Sequence, residues 1–285
     1  MKASIVVPVR NNEEMIGDCI ESLLAQDFPK DDYEIIVVDN KSTDKTADII
    51  KRYPVKYVYE DKIGRTKARN TGIKNSSGEI IAFIDSDCVA EKNWLNELVK
   101  GFKNKRVGGV GGKNIGYKTS TYVERYIEIY YKEYNKNFTS YVPPKVMTNN
   151  AAYRFDVLEE IGYFDESFET GEDFDLSART FWNGYEVDYA SAAVVFHRHR
   201  SSFRELFNLY FEYGVGYVRF LNKHRARFSN NRNERGTTVR LYYRILTDKE
   251  ISPDIKTKMF FCLCMVIQTI AFFNGKTYER IQRRL

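Results

Sequence analysis

Residues 79–94 read EIIAFIDSDCVAEKNW. The first six, Glu79-Ile80-Ile81-Ala82-Phe83-Ile84, make a short and nearly unbroken apolar run rich in β-branched side chains. That length and composition predict a strand buried on both faces, as in a parallel sheet. The run stops at Asp85-Ser86-Asp87. Two carboxylates one residue apart, at the carboxyl end of a buried strand, stand where open α/β sheets bind their ligands. Inside a strand they would point to opposite faces, so a turn has to open here if both are to address one ligand. A hard divalent cation carrying phosphate oxygens suits such donors. A solvated acidic turn ahead of a helix starting near Glu91 is the plainer reading, and spacing alone leaves the two open.

Outward from this strand the chain alternates. Residues 3–9 (ASIVVPV) predict a strand broken by Arg10-Asn11-Asn12, and residues 13–26 place Met15, Ile16, Cys19, Ile20, Leu23 and Leu24 on one helical face. Residues 34–39 (EIIVVD) are a second buried strand ending in Asp39, followed by a turn and a helix capped by Ser42 or Thr43. A third strand spans 55–59, and a helix opened by Gly64 runs to about Asn75. This β-α-β-α-β-α-β order predicts a doubly wound, mostly parallel sheet flanked by helices. There is no GxGxxG after the first strand and no GxxxxGK[ST], which argues against a dinucleotide site or a P-loop. Instead, three strand ends carry Arg10-Asn11, Asp39-Asn40 and Asp85-Ser86-Asp87, which should converge on one rim. Asp39 as a simple turn former stays open beside that reading.

Further on, Val107-Gly108-Gly109-Val110-Gly111-Gly112 is a strand whose glycines fit either close approach of a ligand or a bulge. The tyrosine-rich stretch 119–138 predicts a helix of packing role. Residues 171–179 (GEDFDLSAR) crowd Glu172, Asp173 and Asp175 at a helix start. The helix dipole favours acids there, and Asp175 can pair with Arg179 one turn on. Glu172 and Asp173 together go beyond that account and suit a general base presented to a hydroxyl. His197 closes a strand over 186–196, where it can serve as a metal ligand or a phosphate contact.

The whole chain holds 285 residues at net charge +5, and that figure hides an asymmetry. Residues 198–285 hold 18 Lys/Arg against 7 Asp/Glu, a net of +11, while residues 1–197 hold 26 against 32, a net of −6. An acidic body of 1–200 with a basic helical extension of 201–285 suits an anionic surface or acceptor. Within the extension, residues 259–273 (MFFCLCMVIQTIAFF) are apolar but shorter than the ~20 residues that span a bilayer. A buried helix and an interfacial helix flanked by Lys256, Lys258, Lys276, Arg280, Arg283 and Arg284 both fit. Met1 leads straight into strand-like sequence, which predicts no signal peptide. Cys19, Cys88, Cys262 and Cys264 form no CxxC pair and read as reduced, largely buried thiols of a cytosolic protein.

Several segments together resemble the family 2 inverting glycosyltransferases of the GT-A fold. They are residues 6–13 (VVPVRNNE), 37–44 (VVDNKSTD), 64–73 (GRTKARNTGI), Asp85-Ser86-Asp87, Asn149-Asn150 and 171–179, in the family's order over residues 3–200. The resemblance implies that Pro8, Arg10, Glu13 and Asp39 line the nucleotide pocket, with Asp39 on the base edge. It brings Arg65 and Arg69 toward the nucleotide and its phosphates, and makes Asp85-Ser86-Asp87 a DXD-type motif of the donor site. Asp87, Asp85 and His197 would hold a divalent cation, Mn2+ or Mg2+, with His199 as a rival two residues away. Asp173 would be the catalytic base, and Glu172 and Asn150 would meet the acceptor. The implied reaction moves a sugar from a nucleoside diphosphate sugar, a UDP-sugar first, to a glycan or lipid-linked hydroxyl, with inversion. The basic extension would then hold the enzyme at the cytoplasmic face of the membrane.

Two other readings fit parts of the sequence. A nucleotidyltransferase acting on sugar phosphates also uses strand-end carboxylates, but residues 8–13 lack its glycine-rich and basic loop. A non-enzymatic protein binding an anionic surface fits the charge, yet the tail has neither a helix-turn-helix nor a zinc signature, so no nucleic-acid partner is expected.

Overall fold

The computed structural model describes residues 2–227, 247–248, 251 and 254–282. Two compact units emerge, one made of Met1–Tyr117 with Tyr131–Arg198, the other of Lys118–Tyr130 with His199–Leu285. The chain therefore changes unit three times, because residues 118–130 join the C-terminal part.

The strands of the first unit are β1 (Ala3–Val9), β2 (Tyr33–Asp39), β3 (Lys56–Tyr59), β4 (Ile80–Phe83), β5 (Cys88–Ala90), β6 (Val107–Gly116), β7 (Ala151–Arg154) and β8 (Glu186–His197). They form one sheet in the order β3-β2-β1-β4-β7-β6-β8-β5. β1, β2, β3 and β4 run parallel. β7 runs against both its neighbours, β8 is parallel to β6, and β5 closes the edge antiparallel to β8. The expected mostly parallel sheet is thus present, with two reversed strands. The chain winds outward from β1 through β2 to β3, then returns to place β4 on the other side of β1. Reversal of winding at β1 opens a crevice beyond the carboxyl ends of β1 and β4.

Strand burial follows from helices on both faces. Ile5, Val7 and Val9 of β1 pack with Ile16, Cys19, Ile20 and Leu23 of α1 (Ile16–Leu24) and with Trp94, Leu95 and Leu98 of α4 (Trp94–Lys100). On the opposite face Val6, Ile36, Val38, Ile81 and Phe83 pack with Ala68 and Ile73 of α3 (Arg65–Lys74). Contact there is close enough that a Cβ on Gly72 would lie 2.2 Å from Val6 Cγ1. The glycines of β6 serve the packing too. A Cβ on Gly109 would lie 2.7 Å from the Tyr153 ring, and one on Gly111 2.8 Å from that of Phe138. Register shifts between β6 and β8 also occur in this strand, so the bulge reading holds and room is made for rings rather than for a ligand. The remaining helices of this unit are α2 (Thr46–Ile50), α6 (Phe155–Ile161) and α7 (Glu172–Trp182), while α5 (Tyr122–Asn137) runs from one unit into the other.

In the second unit, α8 (Phe203–Lys223) starts with a capping box of Ser202 and Glu205 and packs on α9 (Ile255–Gln282). A Cβ on Gly214 would lie 2.2 Å from the Phe272 carbonyl, and one on Gly275 2.0 Å from that of Phe211, so the helices touch backbone to backbone. Arg219 and Glu279 pair at 3.0 Å. The apolar stretch 259–273 is one part of a 28-residue helix that is long and apolar enough to cross a membrane, by length and composition. Phe261, Cys264 and Ala271 are buried, while Met259, Leu263, Val266, Ile270 and Phe273 are exposed. One side of the helix therefore fits the buried reading and the other the interfacial one. Residues 228–246 of the basic extension lie outside the described residues, as do Arg283 and Arg284.

Candidate active site

β4 stops at Phe83, and a turn over residues 86–87 separates it from β5. The two acids therefore sit in a turn and not on alternating faces of a strand. Each has a different partner. Asp85 Oδ1 accepts from Arg69 at 2.7 Å, and the same guanidinium donates to Glu172 Oε1 at 2.7 Å. Arg69 is itself buried and lies over the Phe164 ring at 5.7 Å. Burial opposes its charge, but Asp85 and then Glu172 more than offset that and hold its pKa above the ordinary value. One buried cation thus ties the end of β4 to the head of α7.

Asp87 turns the other way. Its Oδ1 lies 3.4 Å from His197 Nε2, at the end of β8. The other imidazole nitrogen, Nδ1, shares a hydrogen with the Tyr131 hydroxyl at 3.1 Å. Cys88 Sγ approaches Asp87 Oδ1 at 3.8 Å. Among the described residues, Asp87, Cys88 and His197 form the group that can hold a metal ion, with donor atoms all within 4.8 Å of one another. Carboxylate and imidazole donors fit a divalent cation of the Mn2+ type. The rival histidine, His199, is buried in the second unit, where Nε2 lies 3.1 Å from Glu128.

Asp173 is half-buried in the first turn of α7, after Gly171 with φ of 81°. Its Oδ1 accepts from the Phe174 N–H at 2.7 Å. Burial and the neighbouring Glu172 charge push its carboxyl up to about 7, against the Phe174 N–H, Arg69 and Arg65. A carboxylate poised near neutral pH is what proton abstraction from a hydroxyl requires.

On the β1–β2 side, Asp39 is buried and accepts from the Ser42 N–H at 3.0 Å and from the Tyr57 hydroxyl at 2.9 Å. The turn-forming role is therefore real, and each oxygen keeps capacity for another donor. Asn11 Oδ1 accepts from the Thr43 N–H at 2.7 Å, and Glu13 Oε2 from the Lys45 N–H at 2.9 Å. Asn12 Nδ2 reaches Ser86 Oγ at 2.9 Å. These bonds lace three strand-end loops into one rim. Pro8 is half-buried in β1, and Arg10 and Arg65 are exposed.

The family model of glycosyl transferase family 2 matches residues 4–162. The chain belongs to this family. Glycosyltransferase AglE of Haloferax volcanii is 32% identical over 224 residues, which make up 75% of this chain and 72% of that protein. A dolichyl N-acetyl-alpha-D-glucosaminyl phosphate glucuronosyltransferase (3-beta-D-2,3-diacetamido-2,3-dideoxy) of Methanococcus voltae is 28% identical over 230 residues, 74% of this chain and 71% of that one. Among solved structures, the mannosyltransferase PcManGT of Pyrobaculum calidifontis, in complex with GDP-Man and Mn2+, aligns with a TM-score of 0.64. It is 19% identical, covers 95% of this chain and 75% of its own, and so speaks for the fold alone.

Within this family 2 glycosyltransferase four of the expected site residues have partners inside the protein. Arg69 is enclosed between two carboxylates. Asp85 is turned to Arg69 and is not a member of the metal-competent group, where Cys88 stands in its place. Glu172 is buried against Arg69. Asn150 is also interior: its Oδ1 accepts from the Trp94 indole at 2.9 Å, and its Nδ2 donates to the carbonyls of Lys113 and Ala193. With three hydrogen bonds made inside the protein, this amide ties β6 and β8 to Trp94. Sequence reading missed Cys88 and Tyr131. The one signal for Cys88 was its place beside Asp87; Tyr131, far from His197 in sequence, gave none.

Proposed function

We propose that this glycosyltransferase moves a sugar from a nucleoside diphosphate sugar to a hydroxyl of a glycan or lipid-linked acceptor, by one in-line displacement with Asp173 as base. The observation that carries this reading is the Asp85–Arg69–Glu172 bridge. It holds the head of α7, and with it Asp173, beside the strand-end acids at the switch point of the sheet. Donor site and base then share one rim.

On the donor side, Pro8, Arg10 and Asp39 border the nucleotide, with Asp39 offering its remaining acceptor capacity to the base edge. Glu13 braces the loop at 44–46 around it. Arg65, exposed at the start of α3, would meet phosphate while Arg69 bridges Asp85 and Glu172. Asp87 and His197 would hold Mn2+ or Mg2+, which when bound offsets the negative charge developing on the leaving diphosphate. Asp173 takes the acceptor's proton as its oxygen attacks the face opposite that leaving group. A single displacement inverts the anomeric configuration and needs one base. The Methanococcus relative's name specifies a dolichyl phosphate-linked acceptor, which supports a lipid-linked acceptor here.

The exposed apolar face of α9, with Lys256, Lys258, Lys276 and Arg280 along the same helix, supports a peripheral position on an anionic membrane surface. We test the central reading by calorimetry with UDP, GDP and their sugars, with and without Mn2+, on wild type and Asp87→Ala. Metal-dependent binding of one diphosphate, lost in the variant, is the expected outcome. No binding of any nucleotide with metal present would refute it.

A further inference from the structure

We propose that Cys88 is a third protein ligand of the cation site, making it an Asp–Cys–His centre with high affinity for thiophilic ions such as Zn2+, Co2+ and Cd2+. The inference deepens the metal reading above, sharing Asp87 and His197 with it. Its basis is a register. β5 pairs antiparallel with β8 so that Cys88 lies directly opposite His197. Directly opposed residues in an antiparallel ladder point to the same face, with Cβ atoms about 4.5–5.5 Å apart. The fold therefore delivers a thiol and an imidazole side by side, and the turn after β4 adds the Asp87 carboxylate.

The spacing suits an ion. Bonds of about 2.0 Å to O and N and 2.3 Å to S in a tetrahedral site put donor atoms roughly 3.3–3.6 Å apart. Here the Asp87–His197 separation is 3.4 Å and the Cys88–Asp87 separation 3.8 Å. All three donor atoms lie within 4.8 Å of one another, so the third edge of the triangle is within side-chain reach. Cys88 is fully buried, whereas the Asp87 and His197 side chains keep 22% and 16% of their surface, so an ion enters from the rim. With Tyr131 on Nδ1, Nε2 is the nitrogen that faces Asp87, and such an outer partner orients a ligating imidazole. A core thiol that merely filled space would need neither an imidazole across the ladder nor a carboxylate at its sulfur.

Binding replaces the thiol proton, which passes to solvent, with a metal–sulfur bond. A hard ion such as Mn2+ prefers the oxygen and nitrogen donors and leaves the thiol protonated; a soft ion recruits all three. With three protein ligands and tetrahedral preference, a soft ion keeps one open position, fewer than a diphosphate needs.

The test uses the full chain and Co2+ without nucleotide, read by absorption and by calorimetry. Wild type and Cys19→Ser are expected to show a sulfur-to-cobalt charge-transfer band in the near ultraviolet. Cys88→Ser, checked for folding by circular dichroism, should lose the band and bind Zn2+ at least tenfold more weakly while its Mn2+ affinity stays within about twofold. Co2+ binding with no such band in wild type, or a band that survives in Cys88→Ser, overturns the proposal, as does failure to bind Co2+ at all. A band with no nucleoside diphosphate binding sustains this inference and sinks the donor reading; the converse pair of results does the reverse.

Discussion

Replacing Arg69 with Leu tests whether the buried bridge holds the site together. The Arg69 side chain is 4% exposed and so is that of Glu172, while Asp85 keeps 32% and can turn to water. Leucine preserves much of the apolar stem but strands the Glu172 carboxylate in the interior. Removing one partner of a buried pair costs about 3–5 kcal/mol, since the remaining charge has lost its compensation. A domain of this size loses about 2–4 °C per kcal/mol, so the melting temperature should fall by roughly 6–20 °C. Both tryptophans, Trp94 and Trp182, lie in the first unit, which makes fluorescence a melt of that unit alone. Glu172→Gln should cost less, on the order of 1–3 kcal/mol, because Arg69 keeps Asp85 and still has an acceptor in the amide. The double variant removes both buried charges and should recover much of the Arg69→Leu loss, a coupling of about 2 kcal/mol or more. An Arg69→Leu melt within about 3 °C of wild type, or a double variant no better than the single, would show that the bridge carries no such energy.

Asp173→Asn should lower kcat by about 10²–10⁴-fold while donor binding by calorimetry is kept. As a base it must be ionised, so kcat/KM in wild type should fall about tenfold per pH unit below its value of about 7 and level off above it. The same raised value means that the folded state binds the extra proton between roughly pH 4 and 7. Asp173 thus costs stability as pH rises through that window, and Asp173→Asn should be the more stable protein at pH 8 and nearly equal to wild type at pH 4. Tyr131→Phe should weaken metal binding by about 10–100-fold with the fold intact, read by calorimetry, because it frees the imidazole that Asp87 faces. For the membrane reading, co-sedimentation with anionic vesicles at low salt should fall sharply when Lys256 and Lys258 become Glu, each exchange removing an attraction of about 1 kcal/mol; equal sedimentation would refute it.

What could be read from the sequence was local. Residues 3–9 and 34–39 announce strands because apolar runs of that length leave few alternatives, and Arg10 and Asp39 mark strand ends because the runs stop there. The pairing of Asp175 with Arg179, observed at 2.8 Å, lies within one helical turn and was legible for that reason. Not legible were side-chain partners far along the chain. Arg69 pairs with Glu172 103 residues away, and Asn150 Oδ1 accepts from Trp94 56 residues before it. No periodicity encodes such pairs. They follow from which strands become neighbours, and here β5, three residues long and followed at once by a helix, was not visible as a strand at all. Yet β5 sets Cys88 opposite His197, and Asp87 just before it faces the same imidazole. Two carboxylates separated by a single serine thereby take different partners: Asp85 is a counter-ion for buried Arg69, while Asp87 stands beside His197 and Cys88. The motif announces that acids stand at this rim; the strand after it decides which of them stands with Cys88 and His197 in the group that can hold a cation.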